Sequence, residues 1–449
     1  MKKLVVLAVM AAFILGTAGF ASAIELKASG QWRVHFNYLS NQEFDGDSET
    51  DSFRAMHRAR VAFEFIASEN LKGVMQLQAG NYTWGAGGGA INQTGDISVR
   101  QLFLNFKVPG TDATILAGKL PFSLPSTYGS HILAGNHSAL AASIPFNDMI
   151  GLTAGWARAH DPSQNTGALT KLDDEVDVFF AVLPIKMDGV QLNPFGVYAR
   201  WGKDFLNDTF AGVEPNPFKN ANQYFAGLNF TVDMLDPIVF MGDFNYGTVD
   251  LTDDFKASGF MVNLAAQYKM DMFTPELFWI YESGEDSGYI AGTSDSKRMP
   301  TIHTDGTSWA PTAMGFVGGS FGGSDGLLRS FLSDIALTPY DDYLVSQGAI
   351  GMWALGLKLG DIQFIDRLTH DLIFVYAQGT NDKANVDLFT DDDKYYEVSF
   401  DHTYQIYENL SAVLELGWAK LDMDTDNRGG VDFAPDNAWK AVFGFHYRF

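Results

Sequence analysis

Leu26-Lys27-Ala28-Ser29-Gly30-Gln31-Trp32-Arg33-Val34-His35-Phe36-Asn37-Tyr38 puts Leu26, Ala28, Gly30, Trp32, Val34, Phe36 and Tyr38 on one face of an extended chain and the six residues between them on the other. Side chains of a β-strand alternate between its faces, so this unbroken period of two reads as one long strand between an apolar medium and water. The end of the chain repeats the pattern. Trp439, Ala441, Phe443, Phe445, Tyr447 and Phe449 alternate with Lys440, Val442, Gly444, His446 and Arg448.

Working inward from these two strands, comparable segments occur near 57–67, 71–82, 99–108, 112–119, 149–158, 175–186, 190–201, 222–233, 237–247, 258–270, 272–283, 347–359, 368–379, 394–407 and 409–421. Tight turns such as Ser68 to Asn70, Leu235-Asp236 and Glu408 alternate with long polar or Gly-rich connections at 40–56, 83–98, 202–221, 284–346 and 422–436. A bacterial outer-membrane barrel has that asymmetry and an even number of strands. The segments above number seventeen; a short strand at 138–145, with Leu140, Ala142 and Ile144 on one face, makes eighteen. Sixteen is the alternative count if two weak segments are loop. A soluble β-sandwich alternates too, but its strands usually run about five or six residues, whereas about 9 to 11 tilted residues span a bilayer. The predicted fold is therefore all-β, a transmembrane antiparallel barrel. Tyr38, Trp156, Trp201, Tyr246, Tyr281, Trp353, Trp418 and Trp439 fall on apolar rows, as expected of aromatic girdles at the two membrane interfaces.

The first residues belong to export rather than to the fold. Lys2 and Lys3 precede an apolar run from Leu4 to Leu15, and Ala21-Ser22-Ala23 supplies small residues for cleavage. Residues 1–23 are thus the expected signal peptide and 24–449 the barrel. The chain has no Cys, which removes thiolate metal sites, cysteine nucleophiles and a lipid-bearing cysteine. Its formal charge of −24 makes nucleic acid an improbable partner. The nine His have no diagnostic spacing with Ser or Asp, so no enzyme, catalytic residue or cofactor is expected.

An export signal, alternating strands to the last residue and the final Phe445-His446-Tyr447-Arg448-Phe449 resemble bacterial outer-membrane porins. The resemblance implies that Tyr447 and Phe449 form the assembly signal read by the barrel-assembly machinery. It also implies an outer-membrane location, in contact with membrane lipid and lipopolysaccharide. More narrowly, Ile24-Glu25-Leu26-Lys27-Ala28-Ser29-Gly30-Gln31-Trp32 resembles the homotrimeric outer-membrane porins of sulfate-reducing bacteria, which implies a homotrimer. In trimeric porins the third outer loop folds inward and narrows the channel. Here that loop is expected at about 120–137, with Pro121, Phe122, Tyr128 and His131 as constriction residues. The segment departs from the Pro-Glu-Phe-Gly-Gly motif of enterobacterial porins and has no Asp or Glu from 120 to 147, so the acidic half of the familiar constriction is absent from it.

Alternation turns Lys27, Arg33, His35, Arg58, Arg60 and Lys72 inward, where they form a basic cluster facing the expected constriction loop. Glu64, Asp177, Asp243, Glu276, Glu282, Glu397, Asp401 and Glu415 are the expected inward carboxylates, and Phe179, Phe225, Phe278 and Tyr395 the inward aromatics. Lys440, on the water row, is expected to tolerate replacement by Gln. The outer loops are acidic: Glu43, Asp45, Asp47, Glu49 and Asp51 in one, Asp422, Asp424, Asp426, Asp432 and Asp436 in another, and Asp382, Asp387 and Asp391 to Asp393 in a third. Calcium or magnesium are the ions such carboxylates suit, although a solvated acidic surface accounts for the same residues. In the long connection, Leu327, Leu328, Phe331, Leu332 and Ile335 have helical spacing.

The first functional expectation is a porin, a water-filled channel for passive diffusion of small hydrophilic solutes and ions. The alternatives are a substrate-specific channel and a structural or adhesive barrel.

Overall fold

The computed structural model describes residues 24–41, 44, 51–85, 97–161, 173–209, 219–251, 256–289, 292, 294–302, 309–312, 349–386, 388–424 and 437–449. The expected signal, the helical spacing at Leu327 to Ile335, and Glu43, Asp45, Asp47, Glu49, Asp387, Asp426, Asp432 and Asp436 lie outside the described residues.

Period-two alternation yields strands throughout. They are β1 (Glu25–Ser40), β2 (Ser52–Ser68), β3 (Leu71–Thr83), β4 (Ile97–Lys107), β5 (Thr114–Ser123), β6 (Ala134–Pro145), β7 (Gly151–His160), β8 (Val176–Val182), β9 (Ile185–Met187) and β10 (Val190–Trp201). There follow β11 (Ala221–Leu235), β12 (Ile238–Asp250), β13 (Lys256–Tyr268), β14 (Thr274–Glu282), β15 (Met352–Ile365), β16 (Leu368–Gly379), β17 (Lys394–Tyr407), β18 (Leu410–Asp422) and β19 (Asn437–Arg448). One short helix, α1 (Lys203–Thr209), follows β10. Both β8 and β9 pair with β10, through Phe195↔Val182 and Leu192↔Ile185, so they are two halves of one stave. Pro184, which has no N–H to give the ladder, stands at the break. The nineteen segments therefore make the eighteen staves expected from the sequence.

The barrel closes through β1, whose Trp32 sits opposite Ala59 of β2 and Tyr447 of β19. Closure pairs the backbone of every stave on both sides, which is the condition for strands to stand in hydrocarbon. Outward rows are apolar: Trp32, Phe443, Phe445, Leu264, Leu277, Leu355 and Phe374 are all exposed. Residues 1–23 apart, both chain ends meet at the short-turn rim, where Gly30 and Phe449 exchange backbone hydrogen bonds of 2.8 and 3.1 Å.

Three expectations are corrected. The β5–β6 hairpin runs further outward than predicted, pairing Leu120↔His137, Pro121↔Asn136, Phe122↔Gly135 and Ser123↔Ala134. Pro121 and Phe122 are strand residues, and the loop proper is 124–133. Phe122 repays the extension by packing on Phe180, ring centroids 4.3 Å apart. Gly118 makes it geometrically feasible: its φ is 129°, and a Cβ there would lie 2.3 Å from the Leu102 carbonyl oxygen. Secondly, Trp201 is not a girdle residue. It is fully buried on the inner row of β10 with Phe195, Val197 and Ala199. Thirdly, Asp177 and Phe179 point outward, since Val176, Val178, Phe180 and Val182 form the buried inner row of β8. In this sector the inner wall is apolar because α1 and loops press against it; Phe205 and Leu206 of α1 are buried, and Phe205 meets Trp201 at 5.6 Å.

Candidate functional site

Inside the barrel the loop 124–133 leaves the β5–β6 hairpin and crosses to the wall formed by β12–β14. The Tyr128 hydroxyl donates to Glu276 at 2.7 Å, and the Thr127 amide donates to Asp243 at 2.7 Å. His131 Nε2 lies 3.5 Å from Glu282 Oε1, both side chains buried. Burial, followed by the neighbouring Glu276 carboxylate, pushes the Tyr128 hydroxyl well above the ordinary tyrosine range, so it stays a donor.

A second loop is stitched onto the first. The Thr301 hydroxyl donates to the His131 carbonyl at 2.7 Å, the Ile302 amide to the Ile132 carbonyl at 3.0 Å, and the Ala310 amide to the Tyr128 carbonyl at 2.7 Å. Trp309, fully buried, lies 4.4 Å from the His131 ring. The described part of the connection after β14 therefore descends into the lumen and doubles the constriction.

These contacts reassign the inward carboxylates. Asp243 is held by Thr127 and by Asn245 and Asn263 at 2.9 and 2.7 Å. Glu282 accepts from the Ile350 and Gly351 amides at 2.9 and 3.2 Å. Glu397 takes Tyr395 and Ser399, both at 2.9 Å, and Thr312 at 3.1 Å. With Glu276 they anchor the loops. Phe225, Phe278 and Tyr395 are inward as predicted but buried under these loops.

The sector formed by β1–β4 and β15–β19 carries a different chemistry. Arg33 donates to Gln31 at 2.9 Å, Arg60 and Arg100 both donate to Gln78 at 2.8 and 2.9 Å, and Arg448 donates to His446 at 3.3 Å. Arg33 and Arg58 are cross-strand neighbours, and His35 is buried two residues along from Arg33. Gln31, Arg33, Arg60, Gln76 and Arg448 line a recess of about 440 Å³. Lys27 and Lys72 belong elsewhere, at the short-turn rim, beside Glu25 at 3.4 Å and Glu64 at 3.0 Å. Facing the arginines from neighbouring staves is an acidic row in which Asp371 sits opposite Asp401, and Asp401 opposite Glu415. Lys358 meets Asp371 at 3.0 Å and Lys440 meets Glu415 at 3.1 Å.

Two members of the basic cluster were missed as site residues. Arg100 enters through a register shift against Gln76 and Leu77 that simple alternation does not reveal. Arg448 was legible on the polar row of the last strand. Of the acidic outer loops, Asp393 is buried and caps Thr390 at 2.6 Å, and Asp51 accepts from Tyr38 at 3.0 Å.

Solved structures with this architecture include Pseudomonas aeruginosa OpdO (TM-score 0.56, 12% identity, 95% of this chain and 97% of that chain covered). The outer membrane protein OprD from the same organism aligns at a TM-score of 0.51 and 12% identity over 96% of each chain. Acinetobacter baumannii OccAB1 aligns at 0.51 and 11% identity, covering 96% of this chain and 99% of that chain. The fold is that of bacterial outer-membrane channels. No protein-family model and no curated protein matches the chain. Within this outer-membrane channel fold, the doubled constriction on one side and the arginine-rich sector on the other define the candidate site.

Proposed function

We propose that the chain is a solute-selective channel of the bacterial outer membrane for small hydrophilic solutes bearing a carboxylate or similar anionic group. The observation that carries this reading is the cluster of Arg33, Arg58, Arg60 and Arg448, in which Arg33, Arg60 and Arg448 donate to Gln31, Gln78 and His446. A guanidinium whose partner is a neutral amide keeps its charge for a passing anion, and its planar fork matches a carboxylate with two parallel bonds. On the adjoining wall Lys358 and Lys440 largely offset the row Asp371, Asp401 and Glu415, so the arginines set the sign of this sector. Loop 124–133 and the segments 294–302 and 309–312 narrow the other side, which supports selection by charge and shape over a general porin that sorts by size. The acidic outer loops favour cations at low ionic strength, but charges in solvent are screened over about 3 Å at 1 M salt.

The test is a planar-bilayer measurement on the purified chain. Anion preference should emerge as salt rises, and small carboxylates should block single channels where uncharged sugars of equal size do not. Arg58→Gln with Arg60→Gln should move reversal potentials towards cations at every salt concentration and weaken the block. Unchanged reversal potentials with conductance intact would refute this reading, and equal passage of neutral and anionic solutes would return the chain to the general-porin class.

A further inference from the structure

The lumen recess of about 440 Å³ lies beside the short-turn rim, with Gln31, Arg33, Arg60, Gln76 and Arg448 in its wall and Phe449 at its edge. That volume falls within the roughly 300–1,000 Å³ of small-molecule sites. Three guanidiniums line it and no Asp or Glu side chain does. Among the described residues these arginines form no ion pair, and the hydrogen bond each makes comes from Nε: Arg33 to Gln31, Arg60 to Gln78 and Arg448 to His446. Both terminal nitrogens of each guanidinium are therefore left to an incoming anion. Counting a terminal carboxylate on Phe449, whose oxygen holds the Gly30 amide at 2.8 Å, three positive charges less one negative leave a surplus of two.

The ladder fixes how that surplus is spread. Gln31 pairs with Arg60 of β2 on one side and with Arg448 of β19 on the other. Neighbouring strands stand about 4.8 Å apart, so the two arginines leave the backbone about 10 Å from each other with a neutral amide between them. Gln31 Oε1 accepts from Arg33 at 2.9 Å and lies 3.0 Å from His446 Nε2, so the amide is held in place by the recess's own wall.

We propose that this recess, within the anion-selective reading given above and resting on it, selects solutes that carry two separate carboxylates over monocarboxylates. One carboxylate takes the terminal nitrogens of Arg60 or Arg33 and the other those of Arg448, each through paired charge-assisted bonds. Two anionic groups match the surplus of two. A monocarboxylate leaves one guanidinium without a counter-charge, and a compact dianion such as inorganic phosphate has the charge but not the separation.

The experiment uses the purified full chain in planar bilayers at about pH 8, where both carboxylates are ionised, and at about 0.1 M salt, where screening acts over about 10 Å. Single-channel block is scored for butanedioate, butanoate and inorganic phosphate. Butanedioate should block at a concentration at least tenfold below that of butanoate and also below that of phosphate. Gln31→Glu, which sets a carboxylate between Arg60 and Arg448 at nearly unchanged shape, and Arg448→Gln should each raise the blocking concentration of butanedioate about tenfold and that of butanoate about threefold. Equal block by butanedioate and butanoate would overturn this inference while leaving the anion-selective reading standing; block by neither would overturn both. Phosphate as potent as butanedioate would also overturn it, since charge without separation would then suffice. Should Arg448→Gln fail to fold, Gln31→Glu alone decides.

Discussion

Replacing Lys440 by Met should destabilise the barrel far more than its place on a water-facing row suggests. Its ammonium lies 3.1 Å from Glu415, with the two side chains only 2% and 3% exposed. At an effective dielectric constant of about 20, unit charges at that distance attract by about 5 kcal/mol. Removing one partner of a buried pair typically costs about 3–5 kcal/mol, because the remaining charge stays desolvated. Arg33 attracts and Asp401 repels the carboxylate left behind, so the expected loss stays at about 3–5 kcal/mol. The assay is guanidinium-dependent folding into phospholipid vesicles, followed by tryptophan fluorescence and compared at equal slope. Glu415→Gln combined with Lys440→Met should recover at least half of the loss, since neither charge is then left alone. A Lys440→Met barrel within about 0.5 kcal/mol of the wild type would refute the reasoning, and so would a double variant as unstable as the sum of the singles. Gln at position 440, which sequence alternation alone admits, should likewise be destabilising because it too lacks the charge.

Phe443→Arg places a charge on an outward side chain that is 43% exposed to the membrane side; at mid-bilayer this costs roughly 2–4 kcal/mol, and vesicle-folding yield should fall accordingly. Deleting Phe449 removes its two backbone hydrogen bonds with Gly30 and the ring stacked on Tyr447 at 5.5 Å. Folded barrel in the outer membrane should then decrease while the amount exported across the inner membrane, scored by cell fractionation, is unchanged. Tyr128→Phe takes a donor from Glu276 and should loosen the 124–133 loop by about 1–3 kcal/mol. Single-channel records should show more frequent transitions to higher conductance, and a record as quiet as the wild type would count against the anchoring role.

The strands, their number and the basic sector were readable from the sequence because alternation is a local property. An extended backbone sends successive side chains to opposite faces whatever lies far away, so Arg33, Arg58 and Arg60 could be turned inward by parity alone. Tertiary structure decided the rest, wherever the inner face of the barrel meets protein instead of water. There polarity no longer distinguishes inside from outside: Trp201 is buried within the barrel although it reads as a girdle residue, while Asp177 and Phe179 face outward. Arg100 escaped notice because one shifted register breaks parity locally. Asp243, Glu276, Glu282 and Glu397 were recognisable as inward carboxylates, but their use as anchors depends on segments that return to them from far along the chain, such as Thr127, Tyr128 and Thr312. Such partners are chosen by where distant segments can reach once the barrel has closed, and nothing in the residues flanking a carboxylate records which segment that will be.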